Sequence, residues 1–394
     1  MTSELITDIA ELRTMEPADA AVVRDAAIVV EDGRVVWIGD RRAAPSADRR
    51  TSVGGRACLP GWVDSHTHLV FGGDRGAEFA NRMAGRPYDA GGIMTTVAAT
   101  RAASEVTLRT RAGDLVAEAV AQGTTTIEAK TGYGLDLASE ERLALIAASV
   151  ADVVTFLGAH VVPEGVDRRE YLDLVKGPML EAVAPFAQFV DVFCETGAFD
   201  VDESREVLLA GRAAGLGLRV HGNQLGESGG VALAVELGAT SVDHCNHLSD
   251  ADVEALADST VVATLLPACD LSTRAPFAPA RRLIDAGVHV ALASNCNPGT
   301  SFTTSMQFQV ATAVLQMNLT LEEALEAATA GGAAAIGLTD GRGTIRVGAP
   351  ADLQVLNAPG ADHIPYRPGV PLTSAVWRRG VRQEPYAAGV VATA

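Results

Sequence analysis

Hydrophobic residues in the middle of the chain form short continuous runs, separated by longer segments whose apolar positions recur with helical spacing. Runs rich in β-branched residues are typical of strands buried on both faces of a parallel sheet. Such runs lie at Val63–Leu69, Thr124–Lys130, Val153–Val161, Phe189–Glu195, Gly217–Leu225, Ser241–Leu248, Val261–Pro267 and His289–Asn297. The segments 139–151, 203–215 and 320–332 predict amphipathic helices, and Thr320 with Glu323 forms a capping-box pattern in the last. Eight strand–helix units predict an α/β fold with a (β/α)8 TIM barrel over residues 59–345.

The two ends of the chain follow a different pattern from the middle. Residues 26–38, AAIVVEDGRVVWI, contain two apolar runs joined around Asp32-Gly33, which is a β-hairpin signal. Near the other end, GTIRVGAPADLQVLN and SAVWRRGVRQ are typical of short strands interrupted by Gly and Pro. Because neither end has enough strands to bury a sheet face alone, we predict one small composite β-sandwich domain formed by residues 1–58 and 346–394.

Composition and charge argue against several classes of protein. Hydrophobic residues make up 48% and charged residues 20% of the 394 residues, so the chain can bury a large core. The formal net charge of −18 argues against nucleic-acid and anionic-membrane partners. The five cysteines contain no CxxC pair, which argues against a disulfide framework or a zinc–thiolate site. The N-terminus lacks a signal-peptide pattern and no apolar run is long enough to span a bilayer, so we expect a cytoplasmic protein.

Polar side chains suited to metal binding cluster at the predicted strand ends. In a parallel barrel the carboxyl ends of all strands meet at one face. His66 and His68 alternate on the first strand, so their imidazoles point to the same side. With His221 from the fifth strand they offer three neutral nitrogen ligands and an open position, as in catalytic metal sites. Further polar residues at strand ends are Tyr133, His160, Glu195, Gln224, His244, His247, Asn295 and Asn297.

Several longer motifs point to a known family. PGWVDSHTH resembles the first-strand motif of the amidohydrolase superfamily, whose members also have a small β domain built from both termini. The segments HTHLVFGGDRGAEFANRMAGRPY, AKTGYGLDL, DVFCETGAF, VHGNQLGESGG and NPGTSFTTSMQ more closely resemble the imidazolonepropionase family of histidine degradation. The resemblance implies metal-dependent hydrolysis of the cyclic amide 4-imidazolone-5-propanoate to N-formimidoyl-L-glutamate. It also implies one mononuclear site for Zn²⁺ or Fe²⁺/Fe³⁺.

The same resemblance assigns roles to individual residues. It makes His66, His68 and His221 metal ligands, and it places His244 as a catalytic residue near the scissile carbonyl. It makes Arg75 the partner of the substrate carboxylate, a role for which bidentate guanidinium pairing is suited. The remaining implied substrate contacts are Tyr133, His160, Gln224, Asn297, Gly299 and Thr300, with Gln224 also expected to act in catalysis through hydrogen bonds to the ring. We expect a small anionic heterocyclic substrate and a homodimer, and structural roles for Glu195 and His247.

The eighth-strand motif departs from the family pattern at one position. Asp-x-Asn-Pro-Gly is expected there, and the chain has Asn295-Cys-Asn-Pro-Gly. We assign Asn295 to the metal and to catalysis, although an amide oxygen is a weak ligand and cannot accept a proton as a carboxylate does. We therefore expect impaired hydrolysis, with His244, Asp243 or Asp270 as candidate bases. An introduced substitution, a natural variant with another base and a retired enzyme are the three explanations.

Two other functions remain open at this point. One is deamination of a heterocycle by an aminohydrolase of the same superfamily, for which Arg75 has no obvious use when the substrate is neutral. The other is ligand binding without catalysis by a protein that lost the eighth-strand carboxylate.

Overall fold

A computed structural model describes residues 2–16, 22–85 and 92–384. The central element is an eight-stranded parallel sheet. Its strands are β5 (Trp62–Asp64), β6 (Thr124–Lys130), β7 (Val153–Ala159), β8 (Phe189–Cys194), β9 (Gly217–Gly222), β10 (Ser241–His244), β11 (Val262–Leu265) and β12 (Val290–Leu292). All eight predicted strands are therefore present. Most end earlier than predicted, because the residues that follow leave the ladder and form a pocket.

The sheet curls into a nearly closed barrel. Each strand pairs with the next one along the chain, from β5 to β12. The gap between the last and first strands is bridged just beyond their ends, where the His68 amide donates to the Cys296 carbonyl (2.9 Å). The Asn295 amide likewise donates to the His66 carbonyl (3.0 Å). The α/β barrel predicted from the sequence is thus confirmed.

Helices cover the outside of the barrel and connect its strands. They are α1 (Gly76–Met83), α2 (Ile93–Ala102), α3 (Glu105–Ala121), α4 (Leu137–Val150), α5 (Arg168–Leu174), α6 (Leu180–Val183), α7 (Val201–Ala213), α8 (Gly230–Glu236), α9 (Asp250–Ala257), α10 (Pro267–Thr273), α11 (Ala280–Asp285), α12 (Met306–Gln316), α13 (Leu321–Ala327), α14 (Ala330–Ala335) and α15 (His363–Tyr366). The three predicted amphipathic segments correspond to α4, α7 and α13–α14. The Thr320–Glu323 capping box is present at the start of α13. Within the described ranges, no helix has both the length and the apolar character needed to cross a membrane.

The two ends of the chain form a second sheet of seven strands. Its strands are β1 (Ser3–Arg13), β2 (Val22–Glu31), β3 (Arg34–Asp40), β4 (Arg49–Pro60), β13 (Leu353–Leu356), β14 (Thr373–Arg378) and β15 (Val381–Arg382). Strand β4 pairs in parallel with β1 and antiparallel with β13, so it joins the two ends. The composite β domain is confirmed, and its strands are hydrogen-bonded in one continuous mixed sheet. The domain limits 1–58, 59–345 and 346–394 stay predictions, and residues 385–394 lie outside the described part.

The predicted hairpin is β2–β3, with Asp32 and Gly33 in its turn. Both residues have positive φ, 48° and 77°, as a two-residue hairpin turn of the I′ type requires. The small domain has a core of its own, which includes Ile28, Leu353 and Trp377. The sheet therefore folds around residues from both ends of the chain.

Candidate active site

A pocket of about 430 Å³, including its open mouth, lies at the end of the barrel where the strands terminate. This is the face at which barrel enzymes bind their substrates. Its lining residues are His68, Arg75, Ile93, Tyr133, His160, Phe193, His221, Gln224, His244, Asn295, Asn297 and Thr300. All of them except Ile93 and Phe193 are residues that the sequence predicts for the site. The two other predicted residues, His66 and Gly299, lie behind this lining, so the structure brings the whole predicted set together.

Two of the histidines are oriented by buried carboxylates. His66 Nδ1 lies 2.7 Å from Asp243 Oδ2, and His221 Nδ1 lies 3.1 Å from Asp191 Oδ1. An imidazole that donates its Nδ1–H to a carboxylate presents the lone pair of Nε2 on the opposite side of the ring. In the described part of the chain, the Nε2 atom of His221 has no hydrogen-bond partner. Both rings therefore direct a nitrogen acceptor toward the pocket.

The histidine nitrogens are close enough to share one ion. His66 Nε2 and His68 Nε2 are 3.3 Å apart, which matches the ~3.4 Å separation of two nitrogens on one tetrahedral Zn²⁺. Ligand atoms of His66, His221 and His244 all lie within 4.8 Å of one another. These buried side chains form a group that could hold a metal ion.

Burial keeps four imidazoles of the site neutral at physiological pH. Loss of hydration lowers the pKa of both His66 and His68 well below the usual value. The same cause lowers the pKa of His160 and that of His244 to about 3. A neutral imidazole can bind a metal or exchange a proton, whereas a protonated one cannot coordinate. These four rings can therefore accept a cation without first losing a proton.

A network of charged residues lies beneath the histidines, and all of its side chains are completely buried. Lys130 Nζ lies 2.9 Å from both Glu128 Oε1 and Asp191 Oδ2. Arg219 Nη2 donates to Asp243 Oδ2 at 2.9 Å. Burial alone would raise the pKa of Asp191 and Asp243, but the adjacent cationic and imidazole groups outweigh it and hold both pKa values below the usual range. The network carries three carboxylates and two cations, so its excess negative charge favours a cation bound above it.

The backbone at two strand ends is in a sparsely populated conformation. His244 has φ of 83° and Asn295 has φ of 50°, a region that non-glycine residues rarely occupy. Strain of this kind is often kept where a side chain must be aimed at a ligand. The Asn295 Oδ1 and His244 Nδ1 atoms are buried, and neither has a hydrogen-bond partner among the described residues. Both residues thus offer polar atoms at the pocket.

The predicted carboxylate-binding arginine forms one wall of the pocket. Arg75 Nε and Nη2 donate to the two carboxylate oxygens of Glu78 at 2.7 and 2.5 Å. A Cβ atom on Gly299 would lie 2.2 Å from Arg75 Nη1, so only glycine leaves room for the guanidinium here. Arg82 donates to the Gly299 carbonyl (2.7 Å) and ties α1 to this turn. Arg75 is therefore packed between α1 and the loop that follows β12.

That loop is folded by Asn297. Its Oδ1 atom accepts hydrogen bonds from the amides of Gly299 and Thr300, each at 2.8 Å. Its Nδ2 atom donates to the Asn295 carbonyl at 2.6 Å. The Asn297 side chain thus shapes the turn, which places Thr300 in the pocket wall.

A buried carboxylate shapes the loop that carries Tyr133. Glu140 on α4 accepts hydrogen bonds from the amides of Gly132, Gly134 and Leu135. The Gly132 carbonyl lies 2.9 Å from His160 Nδ1, which leaves His160 Nε2 as an acceptor toward the pocket. Gly132 has φ of 106°, a conformation that favours glycine. The loop therefore sets the positions of both Tyr133 and His160.

Gln224 lies on the segment that follows β9, at the edge of the pocket. Glu195 Oε2 accepts the amide of the neighbouring Leu225 at 2.9 Å, and its Oε1 accepts the amide of Thr196 at 2.9 Å. Glu195 thus fastens the backbone beside Gln224, which agrees with a structural role.

Several residues that shape the site are absent from the sequence-based set. They are Glu78, Arg82, Ile93, Glu128, Glu140, Asp191, Phe193 and Arg219. Three of them could have been found, because Glu128, Asp191 and Arg219 are charges inside apolar strand segments, where an unpaired charge is costly. Glu78 and Glu140 lie on helices, where a charged residue carries no such signal.

Comparison with known proteins gives the class to which this fold and site belong. The amidohydrolase family profile matches residues 57–391. Among curated proteins, the imidazolonepropionase of Saccharopolyspora erythraea is 62% identical over 97% of this chain and 99% of its own length. That of Micrococcus luteus is 61% identical over 97% of this chain and 100% of its own length. The chain belongs to the imidazolonepropionase family of amidohydrolases.

Solved structures support the fold at lower sequence identity. A triazine hydrolase from Arthrobacter aurescens superimposes with a TM-score of 0.79 at 18% identity, covering 100% of this chain and 97% of that one. A zinc-bound adenosine deaminase from Xanthomonas campestris gives a TM-score of 0.73 at 19% identity, covering 96% and 92%. At such identities the likeness concerns the architecture, a barrel with a composite β domain.

Proposed function

We propose that this protein hydrolyses 4-imidazolone-5-propanoate to N-formimidoyl-L-glutamate in cytoplasmic histidine catabolism, with Asn295 limiting the rate. The observation that carries the proposal is the placement of Arg75 and the buried histidine cluster on one small pocket. A cyclic amide with a carboxylate tail needs both a cationic anchor and a site that polarises its carbonyl.

The proposed metal ligands are His66, His68 and His221, with Asn295 Oδ1 as a weaker fourth donor. Support comes from the carboxylates that orient His66 and His221 and from the Asn295 Oδ1 atom, which has no hydrogen-bond partner among the described residues. Nitrogen-rich sites of this kind suit Zn²⁺ and iron alike, and we propose one such ion. When bound, it supplies Lewis-acid polarisation of the carbonyl and lowers the pKa of water.

The proposed substrate position follows from the spacing of polar groups. The carboxylate tail pairs with Arg75, because the guanidinium presents N–H donors in a planar fork. Tyr133 and His160 contact the ring from one wall. Gln224, which also lines the pocket, hydrogen-bonds the ring nitrogen and oxygen, since an amide offers both a donor and an acceptor.

His244 is the group we propose for proton transfer. Its Nδ1 atom is buried and has no hydrogen-bond partner among the described residues, so the ring has a nitrogen available to take a proton from the attacking water. After the ring C–N bond breaks, the same proton can pass to the departing nitrogen. Asp243 is a poorer base because Arg219 and His66 already bind it, and Asp270 is engaged by Asn246 (2.8 Å) outside the pocket lining.

The decisive experiment is metal analysis and steady-state hydrolysis of 4-imidazolone-5-propanoate for the wild type and Asn295→Asp. We expect slow turnover by the wild type and a kcat that rises ~10²- to 10⁴-fold in the variant, the usual contribution of a general base. Metal-replete protein that lacks activity in both forms contradicts the proposal. Tight substrate binding without turnover in either form identifies a ligand-binding protein instead.

A further inference from the structure

Arg75, in the wall of the pocket, holds a carboxylate that has the same chemistry as the proposed substrate tail. Glu78 forms a two-point ion pair with Arg75, through Nε at 2.7 Å and Nη2 at 2.5 Å. A glutamate side chain ends in –CH₂–CH₂–COO⁻, which is also the structure of a propanoate tail. The guanidinium proposed to bind the substrate therefore holds an equivalent group supplied by the chain itself.

The two partners differ in their freedom to move. The Arg75 side chain is 4% exposed, whereas that of Glu78 is 33% exposed. A Cβ atom on Gly299 would meet Arg75 Nη1 at 2.2 Å, and one on Gly92 would meet both Arg75 Nη2 at 2.5 Å and Glu78 Oε2 at 2.7 Å. The backbone thus confines the guanidinium on two sides and the Glu78 carboxylate on one. Glu78, in the first turn of α1, can rotate toward solvent and be hydrated there.

Charge balance favours replacement of Glu78 by a ligand carboxylate over binding of both carboxylates to Arg75. A buried arginine without a counter-ion is costly, so Glu78 stabilises the ligand-free pocket. Two carboxylates on one guanidinium would leave an excess negative charge in a poorly hydrated place, which is also costly. Once a ligand carboxylate pairs with Arg75, the cheaper state is the one in which Glu78 lies in water.

We propose that Glu78 is a specificity-determining residue that acts as an internal counter-ion of Arg75 and is displaced by the carboxylate of the bound substrate. The inference rests on the proposed function, because it requires a carboxylate-bearing ligand in this pocket. It makes Glu78 a competitor that lowers the affinity for anionic ligands. Ligands with a neutral tail gain no ion pair from displacing Glu78, so they bind alongside it.

The test compares two probes in calorimetry with metal-loaded protein: 3-(imidazol-4-yl)propanoate and its neutral amide. Glu78→Gln removes the competing charge but keeps an amide oxygen that can accept from Arg75, and Glu78→Ala removes the contact. We expect both variants to bind the propanoate about 2- to 5-fold more tightly, the range for a partly exposed ion pair. Binding of the amide should stay the same.

Asp74→Asn is the matched control. Asp74 precedes Arg75 and accepts the Gly76 amide at 2.9 Å, a contact that asparagine can keep. This variant removes one negative charge nearby without touching the Arg75–Glu78 pair, and its affinity for both probes should match that of the wild type. Equal tightening in Asp74→Asn would show a general charge effect and overturn the exchange.

The remaining outcomes separate this inference from the proposed function. Weaker or unchanged propanoate binding in both Glu78 variants, with normal wild-type binding and hydrolysis, overturns the exchange and leaves the proposed function intact. Weaker binding in both would make Glu78 a residue that positions Arg75. A wild type that neither binds the propanoate probe nor hydrolyses 4-imidazolone-5-propanoate contradicts both proposals.

Discussion

A histidine becomes a directed metal ligand only when something fixes its second ring nitrogen, and in this pocket that role belongs to aspartates. Asp243 holds His66 and Asp191 holds His221, and both carboxylates are completely buried. The aspartates are in turn held by Lys130 and Arg219. The orientation of the proposed ligands thus depends on charges that no substrate touches.

Asp243→Asn should weaken metal binding without abolishing the fold. The amide can still accept from one partner, but it loses the negative charge that fixes the His66 tautomer, so we expect a ~10- to 100-fold loss of metal affinity. Competition with a chromogenic chelator measures this directly. Asp352→Asn, which changes a buried aspartate of the small domain, is the control and should leave the affinity unchanged. Equal metal affinities for the wild type and Asp243→Asn would show that Asp243 does not orient His66 for metal binding.

Arg75→Met should slow the hydrolysis of an anionic substrate far more than that of a neutral one. Loss of a charge-assisted bidentate contact should lower kcat/KM for 4-imidazolone-5-propanoate by ~10- to 100-fold, mainly through KM. The corresponding propanamide should be affected little, because its tail carries no charge. A similar loss for both compounds in steady-state assays would show that Arg75 supports the pocket rather than the carboxylate.

At the scale of elements, the sequence predicts best those strands whose pattern is uninterrupted. The barrel strands are buried on both faces, and those such as β7 and β8 are apolar runs that stand out from their neighbours. Strands β1 and β4 escaped prediction although they are the longest in the small domain. Asp8 has φ of 60°, Gly54 and Gly55 have φ of 63° and 77°, and the β1–β4 register shifts between Thr7 and Ile9. Such irregularities break the period of two that identifies a half-buried strand.

The sequence predicts the site residues at the strand ends, and it misses both the buried charges within the strands and the residues on helices. His66, His221, His244 and Asn295 follow from the rule that parallel strands end at one face. Glu78 was missed although it lies three residues after Arg75, a spacing that brings opposite charges together on a helix.

The stability that Asp270 contributes through helix α10 and the loop after it should depend on pH. Asp270 on α10 accepts from Asn246 and from the Ala278 amide, and burial raises its pKa to about 7. Since the folded pKa lies above the unfolded value of 3.8, this residue contributes stability that is full below about pH 4. That contribution is lost as the pH rises through 7.

Asparagine cannot ionise, so a comparison of the wild type with Asp270→Asn isolates the pH-dependent contribution of Asp270 to stability. The melting temperature of the wild type minus that of the variant should fall as the pH rises from 5 to 8. Differential scanning calorimetry at several pH values measures this difference. A constant difference would mean that the Asp270 pKa is not raised in the folded protein.

For the whole molecule, the chain enters and leaves the barrel through the same sheet. Strand β4 leads into β5, and β13 returns beside β4. The barrel is therefore connected at both ends to one small domain, whose sheet contains strands from both ends of the chain. Trp377 Nε1 donates to Glu4 Oε2 at 3.2 Å across that domain. The termini therefore contribute to stability at a distance from the pocket, whereas the strand ends at the other face carry the chemistry.

Asp152 joins the two units at the face of the barrel opposite the pocket, so its removal should lower stability without changing the chemistry. It precedes β7 and accepts from Arg378 on β14 (2.7 Å), from Arg379 (3.1 Å) and from the Ile127 amide (3.0 Å). Asp152→Ala leaves these donors without their carboxylate, and we expect a loss of ~2–4 kcal/mol in the free energy of unfolding. Urea unfolding measures the loss, and KM for 4-imidazolone-5-propanoate in the same preparation should match the wild type. A changed KM with unchanged stability would mean that the joint between barrel and β domain acts on the pocket, and that the two faces of the barrel are not independent.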